Sequence, residues 1–92
     1  MNFNTIASVP VLPQLSPRLR LQYESALARW VLLHPDGREQ LNDSAAEILR
    51  RCDGRRTVAD IVNELEALFD TQGVAPQVLE LIEEGRRRGW LD

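Results

Sequence analysis

One cysteine, one histidine, three clustered glutamates and a glycine-bracketed run of arginines are the residues with chemistry to offer. Cys52 would be a nucleophile if its thiolate were stabilised, and Arg50, Arg51, Arg55 and Arg56 stand close to it in sequence. It falls, however, at the i+7 position of an apolar stripe that starts at Ala45, where a free cysteine ordinarily behaves as a small buried hydrophobe. His34 opens the turn His34-Pro35-Asp36-Gly37, a place for a turn-capping or exposed imidazole rather than a general base. Glu80, Glu83 and Glu84 suggest a hard-cation site, but they share a helix with Arg86, Arg87 and Arg88, the make-up of a solvated, ion-paired face. Gly85-Arg86-Arg87-Arg88-Gly89 has two glycines but follows no strand, so it is not a nucleotide loop. All 11 cationic residues are arginine, and the absence of lysine removes Schiff-base chemistry, a phosphate-loop lysine and a lysine base together. A lone cysteine and a lone histidine make neither an internal disulfide nor the usual Cys/His metal site. No catalytic residue, metal or cofactor is expected, and the chain reads as a non-enzymatic domain.

The elements that would position these residues are short. Ninety-two residues, 43% hydrophobic and 27% charged with a net charge of -3, make one small domain. A chain of this size buries roughly 60–68% of its unfolded surface. Residues 1–17 carry no charge and three prolines, show no sustained period, and read as an extended proline-rich arm ahead of a domain spanning 18–92. Asn, Gln and Pro interrupt that stretch, so neither a secretory signal nor a membrane span is expected, and the chain is assigned to the cytoplasm. From Arg18, alternation of Leu19, Leu21 and Tyr23 with polar residues predicts a half-buried strand. Leu27 to Leu33, apolar on both faces from Trp30 on, predicts the central strand, and the polar Arg38 to Leu41 an edge strand. The period then becomes helical. Asn42 or Asp43 caps, with Ser44 and Glu47 offering a capping box, and Ala45, Ile48, Leu49 and Cys52 form the first stripe before Asp53-Gly54. Thr57 with Asp60 starts a second helix whose stripe runs Val58, Ile61, Val62, Leu65, Leu68 and Phe69. Pro76 sits in the first turn of a third, burying Val78, Leu81, Ile82 and Gly85, with Glu83/Arg87 and Glu84/Arg88 as i,i+4 pairs. Gly89 ends it, and Trp90-Leu91 folds back on the core. The fold class is α+β: a winged helix-turn-helix-like arrangement of a three-stranded antiparallel sheet followed by three helices.

That architecture invites a DNA-binding reading, which the charges oppose. Residues 57–69, the helix that would enter a groove, carry Asp60, Glu64 and Glu66 and no cation, so phosphate would repel them. A winged-helix regulator therefore stands as the alternative, and no nucleic-acid or membrane partner is expected. The edge strand offers a different use. An extended peptide added there as a fourth strand gains main-chain hydrogen bonds, with side-chain selection by a shoulder of the last helix formed by Leu79, Ile82 and Arg86. A purely structural subunit is the other rival, and the arm and open edge both permit a homodimer.

Larger stretches carry a family likeness. Leu41-Asn42-Asp43-Ser44-Ala45-Ala46-Glu47-Ile48-Leu49, Cys52-Asp53-Gly54-Arg55-Arg56-Thr57-Val58 and the terminal Arg88-Gly89-Trp90-Leu91 resemble PqqD, as do Pro17-Arg18-Leu19 and Trp30-Val31-Leu32-Leu33 with Pro35-Asp36-Gly37. The resemblance covers Pro17 to Leu91 and implies a peptide chaperone of the RiPP recognition element type in pyrroloquinoline quinone (PQQ) biosynthesis. Such a protein binds the ribosomal precursor peptide PqqA and presents it to the radical S-adenosylmethionine (SAM) enzyme PqqE, which crosslinks a glutamate and a tyrosine of the peptide. The resemblance further implies a groove between the third strand and the last helix, in which Arg38, Glu39, Gln40 and Leu41 pair with the peptide backbone and Leu79, Ile82, Glu83 and Arg86 line the wall. Delivery requires a second surface for the enzyme, and on charge alone the arginines at 50, 51, 55 and 56 are the candidates.

Overall fold

The computed structural model describes residues 10–92, so the first nine residues of the expected arm lie outside it. Three strands, β1 (Arg20–Glu24), β2 (Arg29–His34) and β3 (Gly37–Gln40), precede three helices, α1 (Asp43–Arg50), α2 (Val58–Leu68) and α3 (Ala75–Arg87). The sheet is antiparallel in the order β1-β2-β3, which puts the apolar run in the centre and leaves β3 at an edge.

Register decides what each strand residue does. Leu21, Leu32 and Glu39 stand opposite one another, as do Tyr23 and Trp30. These residues share the face on which the helices pack, because directly paired side chains project to the same side. Gln22, Val31 and Gln40, and likewise Arg20, Leu33 and Arg38, occupy the other face. No element covers Val31 among the described residues, yet it is 0% exposed. Its cover is polar: Arg38 donates to Glu24 at 2.7 Å, a bond that reaches between the two outer strands, and Arg29 of β2 donates to Gln40 of β3 at 3.4 Å. The two-residue hairpin after β2 places Gly37 at φ +148°, a conformation side chains rarely adopt.

On the helical side the core gathers Leu32 and Leu41, Ala46, Ile48 and Leu49 of α1, Ile61 and Leu65 of α2, Val78 and Ile82 of α3, with Cys52 and Leu91. Asn42 caps α1, its side chain accepting from the Ala45 amide at 2.8 Å. The expected Ser44–Glu47 box is not made, because Glu47 binds Arg50 at 2.6 Å and Arg51 at 2.8 Å instead. Thr57 and Asp60 do form their box at the head of α2. The predicted α2 stripe overruns its cover: Leu68 and Phe69 lie past the core and are about half exposed. Residues 13–16 are stitched to the domain. Gly54 donates to the Pro13 carbonyl, Leu15 to that of Cys52, Ser16 to that of Trp90 and Asp92 to that of Gln14, at 2.8–3.0 Å. This segment thereby ties the α1–α2 loop to the C-terminus.

Two groups in this frame carry predictions. Burial, reinforced by the neighbouring Asp53 carboxylate, pushes the Cys52 thiol up to about 12, and its Sγ donates to the Ile48 carbonyl at 3.3 Å. The native protein should leave a thiol-exchange reagent unreacted at pH 8 and release one equivalent only after denaturation. Glu47 is pushed up by partial burial, but bonds from Arg51 and Arg50 outweigh that and hold its carboxyl below the usual 4.5. A depressed folded-state pKa stabilises the fold above the unfolded value, and the contribution fades as pH falls through the folded one. Glu47→Gln should therefore lose stability near neutrality and lose less than the wild type as pH drops below 4.5, measured by denaturant unfolding at stepped pH.

Candidate functional site

The outer edge of β3 is built by alternation. The Leu41 amide donates to the Trp30 carbonyl at 3.0 Å, which makes Trp30–Leu41 a hydrogen-bonded pair. Stepping back by two, Glu39–Leu32 and Gly37–His34 are also bonded pairs, so the N–H and C=O of Arg38 and Gln40 point away from β2. Among the described residues no strand pairs with them. The side chains of Arg38 and Gln40 lie on the outer sheet face, whereas Glu39 projects to the helical side and Leu41 is buried in the core.

The facing wall is α3. Arg88, just past its C-terminus, bonds Glu39 across the gap at 3.1 Å, lies over the Trp90 ring at 4.9 Å and also holds Glu84 at 2.9 Å. From that clasp the trough continues into a cleft of about 420 Å³ between the start of α1 and α3. Ala45, Ile48 and Leu81 give it apolar lining, while Glu80, Glu84 and Arg87 supply charge. Hydrogen bonds from Arg87 and Arg88 hold the Glu84 carboxyl below its usual range. Among the described residues there is no group of three or more His, Cys, Asp or Glu side chains placed to hold a metal. The arrangement is suited to holding an extended chain by its backbone and one apolar side chain in the cleft.

The residues singled out from sequence divide accordingly. Arg38 and Gln40 present the open backbone, while the Leu41 amide, and by alternation that of Glu39, turns inward to β2. Ile82 is 0% exposed and belongs to the core. Leu79, Glu83 and Arg86 fall on the opposite side of the Val78–Ile82–Gly85 seam from Leu81, Glu84 and Arg88, at 100° per residue. They are therefore not brought to β3. The flank turned to the cleft and to Glu39 instead carries Leu81, Glu84 and Arg88, of which Glu84 and Arg88 are an i,i+4 pair beside the helix end. Arg87 takes Glu84 rather than the expected Glu83. Of the four arginines proposed as an enzyme face, three are engaged: Arg50 and Arg51 with Glu47, Arg51 and Arg56 with Glu64, and Arg56 with Asp53, while Arg55 makes no ion pair among the described residues.

The family model described as Coenzyme PQQ synthesis protein D (PqqD) matches residues 29–91. The chain belongs to the PqqD family. Among PqqD-family relatives it is 44% identical over 78 residues to the "PqqA binding protein" of Methylococcus capsulatus, covering 85% of this chain and 84% of that one. It is also 44% identical over 82 residues to the protein of the same name from Azotobacter vinelandii, covering 88% and 89%. The solution NMR structure of the PqqD truncation of Methylobacterium extorquens PqqCD matches with a TM-score of 0.75 at 27% identity over 87% of each chain. That PqqD is described as a functional and stand-alone RiPP recognition element. These are names of binding proteins, not of catalysts, and the PqqD fold of three antiparallel strands followed by three helices is the one expected from the residues.

Proposed function

We propose that the chain binds the precursor peptide PqqA as a fourth strand on β3 and presents it to the radical SAM enzyme PqqE, in the cytoplasm, for PQQ synthesis. The observation that carries this reading is the unpaired backbone of Arg38 and Gln40, on an edge tied to the end of the C-terminal helix by the Glu39–Arg88 ion pair. The name of the relatives supports the choice of peptide. Strand addition supplies affinity through main-chain bonds, and alternate side chains of the guest enter the trough, one of them into the Ala45–Ile48–Leu81 cleft. Entry requires the Glu39–Arg88 clasp to open or to re-pair with the peptide; both partners are substantially exposed, so the clasp is a weak barrier.

The DNA-binding alternative has no support in the geometry. α2 carries Asp60, Glu64 and Glu66, and its last turn has no basic residue. Titration calorimetry with synthetic PqqA decides the matter: saturable one-to-one binding, followed by co-elution of the peptide complex with purified PqqE, is the expected result. Absence of peptide binding under low-salt conditions overturns the reading.

A further inference from the structure

The outer face of the sheet is charged unlike the rest of the protein. By register it presents Arg20, Arg29 and Arg38 with Gln22, Gln40 and Glu24, and Arg18 joins it beside Arg20, Leu33, His34 and Pro35 around a shallow cleft of about 290 Å³. Four arginines against one glutamate give this face a net +3. The remaining seven arginines meet thirteen acids, a net of -6, on a chain whose total is -3. Glu39, between Arg38 and Gln40, projects to the helical side, and Asp36 on the neighbouring hairpin turn is the next acid in sequence. Arg38 is spent on Glu24, but Arg18 and Arg20 are exposed and make no ion pair among the described residues. Leu33, half-buried at the floor of the cleft, adds apolar area between them. Arg20 and Leu33 project from the sheet face opposite the helices, and Arg18 borders a second cleft of about 260 Å³ with Asp36, Arg88 and Trp90. The face therefore meets the trough only at the Arg88 end and leaves the open backbone of Arg38 and Gln40 free for a guest.

The structure assigns the outer sheet face, centred on Arg18, Arg20 and Leu33, to docking an acidic surface of a protein partner. The assignment rests on the delivery reading above, in which that partner is the enzyme that modifies the peptide. Charge complementarity is the argument: opposite fields steer encounter and fix orientation, while a chain that is otherwise acidic repels the same partner everywhere else. It also replaces the arginines at 50, 51, 55 and 56, of which Arg50, Arg51 and Arg56 are already neutralised within the fold.

The test compares the full chain with Arg18→Glu/Arg20→Glu and Arg18→Gln/Arg20→Gln, each titrated with PqqA, with purified PqqE and with a random-sequence DNA duplex, at low and moderate salt. The expected result is unchanged affinity for the peptide in both variants. Affinity for the enzyme falls at least tenfold in the glutamate variant and by less in the glutamine variant, and its salt dependence flattens. Equal enzyme affinity across the three chains overturns the docking face and leaves the peptide reading standing. Failure of the wild type to bind PqqE overturns the delivery reading and the face with it. Loss of peptide binding in both variants shows that the face is not separate from the groove, and wild-type duplex binding abolished by the variants assigns it to nucleic acid; either result overturns the proposal.

Discussion

Gln40→Pro is expected to weaken PqqA binding by about 10–100-fold while leaving the fold nearly as stable as the wild type. Proline removes the one amide at that position, and this amide points out of the sheet rather than to β2. The guest strand then loses a donor and keeps an unpaired carbonyl, a penalty of about 1.4–2.7 kcal/mol, which converts to that range of affinity. Glu39→Pro, one residue earlier, should instead unfold the hairpin, because by alternation its amide belongs to the β2 ladder. The contrast isolates edge from ladder. A third variant isolates one edge from the other: β1 is also an outer strand, with Leu21 and Tyr23 turned outward by the same alternation. Tyr23→Pro is expected to leave peptide affinity unchanged, measured by calorimetry alongside the other two.

Leu32→Ala should cost the domain about 2–5 kcal/mol and lower its Tm by roughly 10–25 °C in a thermal melt. Leu32 is 0% exposed at the centre of the sheet and faces the helical core, where the surrounding side chains are themselves enclosed and collapse poorly. A domain of this length holds only about 5–14 kcal/mol in total, so the loss is a large share of it. Val31 is equally inaccessible but is roofed by movable polar side chains on the outer face. Val31→Ala should therefore cost only about 1.5 kcal/mol, close to the transfer of two methyl groups alone. An equal cost for the two substitutions would mean that the outer face is closed by something rigid.

These two residues also show what the sequence disclosed and what it withheld. The run Trp30-Val31-Leu32-Leu33 identified a strand in the middle of a small sheet, because only a position covered on both sides tolerates four apolar residues in succession. That the second cover consists of hydrogen-bonded Arg38–Glu24 and Arg29–Gln40 pairs depends on register, which composition does not encode. The α3 stripe was equally plain, since Val78, Ile82 and Gly85 recur at helical spacing. A seam has two flanks, however, and periodicity treats them alike. Deciding between Leu79, Glu83 and Arg86 on one flank and Leu81, Glu84 and Arg88 on the other requires knowing on which side β3 returns, a fact of tertiary packing. The capping box failed for a related reason. Ser44-x-x-Glu47 fits the pattern, but α1 starts at Asp43 with Asn42 as its cap, and two guanidiniums compete for Glu47. Leu68 and Phe69 continue the apolar period of α2 beyond the buried core and remain about half exposed.

The central claim is that a guest backbone takes up the free donors of β3, and amide hydrogen exchange reads those donors one at a time. On addition of saturating PqqA to the isotope-labelled chain, exchange at Arg38 and Gln40 should slow by at least tenfold, with the Leu21 and Tyr23 amides of β1 unchanged. Exchange at Arg38 and Gln40 as fast in the complex as in the free protein, despite saturation, would contradict strand addition at this edge.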